Sequence, residues 1–280
     1  MANWMPMFSD FEGVVEGGVA VARQHAERLR EMPPEVRTKA DKSPVTAADL
    51  AVAAFLEKGL LALTPGADWL CEEGSAIVGL GDLVWVVDPL DGTKEFLRGL
   101  PEFSVSVALL HRLQPVLAAV VNPMTGEGGF WSAADGLRLK GPSVPGAFTG
   151  DKRLEDVCAN ASRTEFEKGS LAPYRAVLKE VRPIGSVAYK LLRVAMGLEE
   201  LYFSVEPKSE WDLCGGVALV TAAGLAYETF DRVPMRFTGT NRRIETGAVA
   251  GPASMVRAFM TRFDGPIADD QDKIARGIVR

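Results

Sequence analysis

The chain has 280 residues, 47% of them hydrophobic and 24% charged, and a net charge of −6 from 31 Lys and Arg against 37 Asp and Glu. That is ordinary globular composition and excludes disorder, collagen or coiled coil as a description of the whole. The absence of any Lys/Arg cluster argues against a surface for a nucleic-acid polymer or an anionic membrane.

Two histidines, His25 and His111, leave no material for a His-rich zinc site. Three scattered cysteines (Cys71, Cys158, Cys214), without a CxxC, read as reduced thiols. Residues 1–12 show no basic segment followed by an apolar core. The longest weakly polar run, 213–226, is too short for a bilayer and is broken by glycines. A soluble, cytoplasmic protein is expected.

Val14, Val21 and Leu29 recur at near-helical spacing and predict a helix over 14–31, stopped by Pro33-Pro34. Ahead of it, Trp4, Met5 and Phe8 are available to dock on the domain or on a second subunit. A polar stretch, 37–44, follows. Thr46-Ala-Ala-Asp49 is a capping-box pattern that opens an apolar helix to about Leu63, ended by Pro65-Gly66. Residues 83–87 read as a short buried strand. Residues 103–110 and 115–121 read as strands joined at 111–114, and 128–132 with 137–140 as another pair around Asp135-Gly136. The Gly/Pro-rich run 141–151 is the expected boundary between a domain over 1–140 and a domain over 141–280. Beyond it, strands at 157–161, 181–184, 201–205 and 248–251 alternate with helices at 174–179, 186–196 and 212–223, then a terminal helix. The expected class is α/β, an α+β half followed by an α/β half.

The chemistry concentrates in Trp85-Val-Val-Asp88-Pro-Leu-Asp91-Gly-Thr93-Lys-Glu-Phe96. An apolar strand delivers Asp88 where pairing stops, Pro89 prevents further pairing, and Asp91-Gly92-Thr93 turns into a short helix. Two carboxylates across a rigid turn can face one point, and carboxylates with Mg²⁺ attract phosphate because hard cations share oxygen ligands. The plain alternative is a surface turn of Asp, Pro and Gly. Glu72, in Cys71-Glu72-Glu73-Gly74, and Asp212, after Trp211, could converge with Asp88 and Asp91 on an all-oxygen two-metal site. Their alternatives are a solvated loop charge for Glu72 and a helix cap for Asp212, since Ser209-x-x-Asp212 is also a capping-box pattern. Asp49 has the same alternative through Thr46.

Taken together, SPVTAAD around Asp49, CEEG around Glu72, DPLDGT from Asp88 to Thr93, and Trp211-Asp212 before a small-residue helix resemble the inositol monophosphatase superfamily. The resemblance runs from about Val14 to the last strand, and DGTKEF and SEWD are most similar to its bacterial CysQ branch. It implies a layered αβαβα sandwich and a magnesium-dependent, lithium-sensitive phosphomonoesterase using a metal-activated water. The implied reaction is a 3′(2′),5′-bisphosphate nucleotidase converting adenosine 3′,5′-bisphosphate to AMP; the alternatives are an inositol-1-monophosphatase or related sugar phosphatase, and a non-enzymatic metal-binding scaffold. By the same resemblance Glu72, Asp88 and the carbonyl of Leu90 hold one Mg²⁺, and Asp88, Asp91 and Asp212 a second, with a third, weaker ion near Glu72. Thr93 paired with Asp49, with help from Glu72, polarises the attacking water. The amides of Gly92 and Thr93 hold phosphate, water oriented by Asp212 protonates the leaving group, and Gly185-Ser186-Val187 forms the substrate-binding turn. A homodimer is frequent in such proteins.

Five readings concern substrate. Ser186 is equally an ordinary helix N-cap. Lys190 faces either the substrate or the solvent, with solvent expected. Glu206 either contacts a substrate hydroxyl or is a turn charge before Pro207, and Lys208 could meet a second phosphate. Ser204 stands where similar chains carry Arg. His25 is expected beside a packed stripe, His111 in a hairpin turn, and Cys71 as a buried thiol beside Glu72. A haloacid-dehalogenase-type mechanism places its two Asp two residues apart, whereas Asp88 and Asp91 are three apart. An EF-hand fails because Leu90 and Gly92 fall where oxygen ligands are needed.

Overall fold

A computed structural model describes residues 5–29, 36–38, 44–74, 81–143, 152–240 and 243–263. Trp4 and residues 144–151 of the expected boundary lie outside these. The first helix, α1 (Phe8–Arg28), begins six residues earlier than expected, because Phe8 and Phe11 extend its buried stripe through Val15, Val19 and Ala22. Val14, Val21 and Leu29, whose spacing predicts the helix, only flank that stripe. Phe8 thus docks on its own domain, and Phe11 stacks on Trp85 with ring centroids 5.8 Å apart.

The stretch expected to be polar coil holds an antiparallel hairpin, β1 (Val36–Thr38) and β2 (Pro44–Thr46). Helix α2 (Ala47–Leu63) starts at the expected Thr46 cap. An unanticipated strand, β3 (Asp68–Cys71), pairs in parallel with β4 (Leu83–Asp91). Contrary to expectation, β4 does not stop at Asp88. Pro89 falls in a bulge between Asp88, opposite Ser106, and Asp91, opposite Ser104, so pairing resumes at Asp91. After the short α3 (Thr93–Leu97), strands β5 (Ser104–His111), β6 (Gln114–Val121), β7 (Gly128–Ser132) and β8 (Gly136–Lys140) form a meander. The β5–β6 hairpin turns through Arg112 and Leu113, both with positive φ (49° and 64°), as a two-residue hairpin on twisted strands requires. The resulting six-stranded sheet has the order β3-β4-β5-β6-β7-β8.

After a 3-10 turn at Leu154–Asp156 come β9 (Cys158–Ser162), α4 (Arg163–Glu167), α5 (Ala172–Arg175), β10 (Glu180–Ile184), α6 (Val187–Ala195) and β11 (Leu201–Ser204). They are followed by α7 (Glu210–Ala222), β12 (Ala226–Thr229), β13 (Ala248–Gly251) and α8 (Ala253–Phe263). The helix expected over 174–179 is the shorter α5, with a Pro in its first turn; α4 and β12 are additions to the expected elements. The second sheet has the order β10-β9-β11-β13-β12, with β13 antiparallel to both neighbours.

Strand alternation sets the layers. On β4, Trp85 and Val87 face the core beneath α1 and α2, while Val84 and Val86 face the opposite core with α6 and α7. On β11, Tyr202 joins that central core, whereas Leu201 and Phe203 pack outward with α5 and α8. The molecule is therefore a helix–sheet–helix–sheet–helix sandwich of the α/β class. Among the described residues no helix is long and apolar enough to cross a membrane.

Candidate active site

Three carboxylates meet where the first sheet faces α7. Asp88, Asp91 and Asp212 each offer an oxygen within 4.8 Å of the others. Asp88 comes from the last regular pair of β4, and its Oδ1 accepts the Leu90 N–H at 3.1 Å across the bulge. Asp91 ends β4. Its Oδ2 accepts the Ser186 hydroxyl at 2.7 Å and the Ala188 N–H at 2.6 Å. Asp212 sits in the first turn of α7, where its Oδ2 accepts the Ser209 N–H at 2.7 Å in the expected capping box.

Burial raises all three acids above the usual carboxylate range. Asp88 lies well above it, through burial first and then the charges of Glu72, Asp91 and Asp212. Asp91 is raised by burial against the Ser186 hydroxyl and Lys190, which lower it. Asp212 is pushed up to about 7 by burial and by Asp91. Gathering buried like charges with no cation among them is unfavourable. An all-oxygen donor set suits a hard divalent ion, which would remove that repulsion, so these residues fit a metal.

Glu72 lines the same cleft, and its N–H donates to Val87 O at 3.1 Å, extending the β3–β4 pairing by one residue. Its charge raises Asp49, Asp88 and Asp212, but it stands outside the trio that shares the 4.8 Å spacing. The Leu90 carbonyl lies 3.2 Å from Thr93 Oγ1. Thr93 Oγ1 also lies 3.0 Å from Asp49 Oδ1, while Asp49 Oδ2 accepts the N–H and hydroxyl of Thr46 at 2.7 and 2.6 Å. Asp49 is fully buried and its carboxyl is raised by that burial, against the Thr46 and Thr93 hydrogen bonds.

Gly92 caps α3 with φ 102°, and a Cβ there would lie 2.9 Å from the Glu102 carbonyl oxygen. Gly92, Thr93, Gly185, Ser186 and Val187 all line the cleft, whose volume is about 270 Å³. The Ser186 hydroxyl is committed internally: it donates to Asp91, accepts the Tyr189 N–H at 3.0 Å and meets Ser104 Oγ at 3.0 Å.

Glu206 and Lys208 do not line this cleft. Glu206 pairs with Lys168 at 2.5 Å. Lys208 Nζ donates to Glu165 Oε1 at 3.2 Å and to Glu206 O at 3.0 Å. Lys190, expected in solvent, is buried and lines the cleft, with Nζ 3.1 Å from Ile184 O and 2.7 Å from Ser186 O. Burial lowers its ammonium to about 8. The signal for its position is its place inside a run of buried residues from Val187 to Leu192, not on a polar face. Glu102 and Arg163, which no sequence motif marks, pair at the cleft wall at 2.6 Å.

The family model for the inositol monophosphatase family matches residues 10–260. The chain is 35% identical over 217 residues to an Escherichia coli (strain K12) protein named 3′(2′),5′-bisphosphate nucleotidase CysQ, covering 74% of this chain and 84% of that one. It is 30% identical over 229 residues to a Rhizobium meliloti protein named inositol-1-monophosphatase, covering 76% and 81%. Its fold matches the crystal structure of extragenic suppressor protein SuhB from Bartonella henselae with a TM-score of 0.77, at 22% identity, over 91% of this chain and 97% of that one.

Proposed function

The chain belongs to the inositol monophosphatase family and is a phosphatase of that family, and from this premise we propose that it is an Mg²⁺-dependent, lithium-sensitive 3′(2′),5′-bisphosphate nucleotidase. The observation that carries the reading is the convergence of Asp88, Asp91 and Asp212 on one point in a cleft lined by Thr93, whose hydroxyl is backed by the buried Asp49. The substrate class rests on the 35% identity to the E. coli nucleotidase.

In this reading Glu72, Asp88 and the Leu90 carbonyl hold one Mg²⁺, Asp88, Asp91 and Asp212 a second, and Glu72 borders a third, weaker site. Bound there, the ions neutralise the phosphate and make water nucleophilic near neutral pH. Thr93 donates its hydroxyl proton to Asp49, which aims the oxygen lone pairs of Thr93 outward to accept a proton from the attacking water. Asp49, raised by burial, is suited to take up the Thr93 hydroxyl proton as Thr93 accepts one from the water. The Gly92 and Thr93 amides hold phosphate oxygens, and the buried Lys190 ammonium adds positive charge on the Ser186 side. The partner is a small phosphate ester. A cytoplasmic setting and a homodimer belong to the same proposal.

A sugar phosphatase is the second reading. It is favoured by Lys208, whose donors are spent on Glu165 and backbone carbonyls and not aimed at a second phosphate. Phosphate release from adenosine 3′,5′-bisphosphate and from inositol 1-phosphate, with Mg²⁺ and with added Li⁺, separates the two. The nucleotide is expected to be preferred and Li⁺ to inhibit. A clear preference for the inositol ester selects the second reading, and no release from either ester overturns both.

A further inference from the structure

We propose that Glu102, gripped by Arg163, is a positioning residue for Asp91, acting through the turn that joins β10 to α6. Glu102 lies in the loop between α3 and β5, on the first sheet's side of the cleft. Its Oε2 accepts the N–H of Gly185, on the second sheet's side, at 2.9 Å. Arg163, the first residue of α4, holds this carboxylate in place. Its Nη2 lies 2.6 Å from both Glu102 oxygens, and its Nε lies 3.2 Å from Oε2. The same Nη2 donates to Pro183 O at 2.9 Å, so one guanidinium grips both the acceptor and the strand that leads into the turn.

The turn needs holding. Ser186 has φ 58° and ψ 123°, a conformation that L-residues rarely adopt and that persists only where its surroundings over-determine it. Next to it, Gly185 has no room for a side chain: a Cβ would lie 2.3 Å from Glu95 Cγ and 2.7 Å from Glu102 O. The strained turn brings the Ser186 hydroxyl to 2.7 Å and the Ala188 N–H to 2.6 Å from Asp91 Oδ2. Together these contacts fix the plane of the Asp91 carboxylate. Without the charged carboxylate that Arg163 grips, the acceptor at residue 102 is no longer held under Gly185, the Gly185–Ser186 peptide can relax, the two donors leave Asp91, and its carboxylate is free to rotate away from Asp88 and Asp212. A carboxylate that must be ordered upon binding holds a cation less tightly than one already ordered.

This inference rests on the reading that Asp88, Asp91 and Asp212 hold divalent cations. The test is a titration of metal-free protein with Mn²⁺, with free ion followed by electron paramagnetic resonance, on wild type and Glu102→Gln, alongside the melting temperature of each metal-free protein. Glu102→Gln is expected to weaken at least one Mn²⁺ site about tenfold with only a small change in the metal-free melting temperature. Arg163→Lys, which keeps the charge but loses the fork, is expected to fall between the two. Glu167→Gln, which removes the exposed Arg98–Glu167 pair from the same helix, is expected to bind as wild type. Wild-type Mn²⁺ affinity in folded Glu102→Gln overturns the inference. If Glu102→Gln does not fold, wild-type affinity in Arg163→Lys overturns it. Wild type that binds no Mn²⁺ refutes the metal reading itself, which is a separate result.

Discussion

At Asp49, one carboxylate oxygen serves the backbone of α2 through Thr46 while the other accepts the Thr93 hydroxyl at 3.0 Å. Asp212 and Asp91 divide their oxygens in a similar way, each giving Oδ2 to N–H groups at a helix start. In the proposed mechanism capping and chemistry are not rival roles for these acids, because a carboxylate has enough lone pairs for both. Thr93→Val, which removes the hydroxyl that Asp49 orients, is expected to lower kcat by about 10²-fold or more. Mg²⁺ affinity should hold, and steady-state kinetics at several Mg²⁺ concentrations check both. The raised acids also set a pH dependence. In the metal-free protein Asp88, Asp91 and Asp212 bind protons at a pH where the unfolded chain, with carboxyls near about 4, has lost them. The stability they contribute is present in acid and is lost as pH rises through the Asp212 value of about 7. Calorimetry of metal-free protein should show the melting temperature falling between about pH 5 and pH 8; a flat or rising profile contradicts this.

The bulge in β4 and the glycine that follows it place Asp88, Leu90, Asp91 and Thr93 within one short segment. Pro89 has no N–H to pair, so the ladder is interrupted at the point where a carboxylate must leave the sheet. Gly92 then turns the chain into α3 at φ 102°, against the Glu102 carbonyl. Gly92→Ala meets both the left-handed backbone and that carbonyl, and is expected to cost about 1–3 kcal/mol in urea unfolding. It should also lower activity by more than this loss of folded protein explains, because Thr93 is displaced with it.

Across the whole molecule, the cleft draws on the end of β4, α3, the turn before α6 and the start of α7, with Asp49 of α2 behind Thr93, so acids from distant segments face one another. In the proposed reading this arrangement trades stability for a cation site. At alkaline pH, where the clustered acids are ionised, Asp88→Asn removes one like charge and is expected to raise the melting temperature of metal-free protein, while abolishing turnover. In wild type, Mg²⁺ at one hundred times its dissociation constant is expected to add about 2.7 kcal/mol. In Asp88→Asn that gain should be lost, as thermal melts with and without Mg²⁺ would report.

Much of this molecule is legible in its amino-acid sequence. The Thr46–Asp49 and Ser209–Asp212 caps, the DPLDGT segment and the β5–β6 hairpin depend on residues a few positions apart, where covalent geometry limits what neighbours can do. The strands β1, β3 and β12 are not legible there, because each is only three or four residues long, and β3 and β12 exist through pairing with a strand more than a dozen residues away. The burial of Lys190 and the spending of Lys208 on Glu165 are hidden for the same reason. By itself the sequence determined the chemistry on offer: oxygen ligands, a Thr beside a carboxylate, and no histidine at the centre. Tertiary structure alone decided which oxygens meet. Thr93 reaches Asp49 across 44 residues, Glu102 reaches Gly185 across 83, and Ser186 reaches Asp91 across 95. Contacts that far apart are set by how α2 packs on the first sheet and how the two sheets pack around α6 and α7, and no local spacing encodes that.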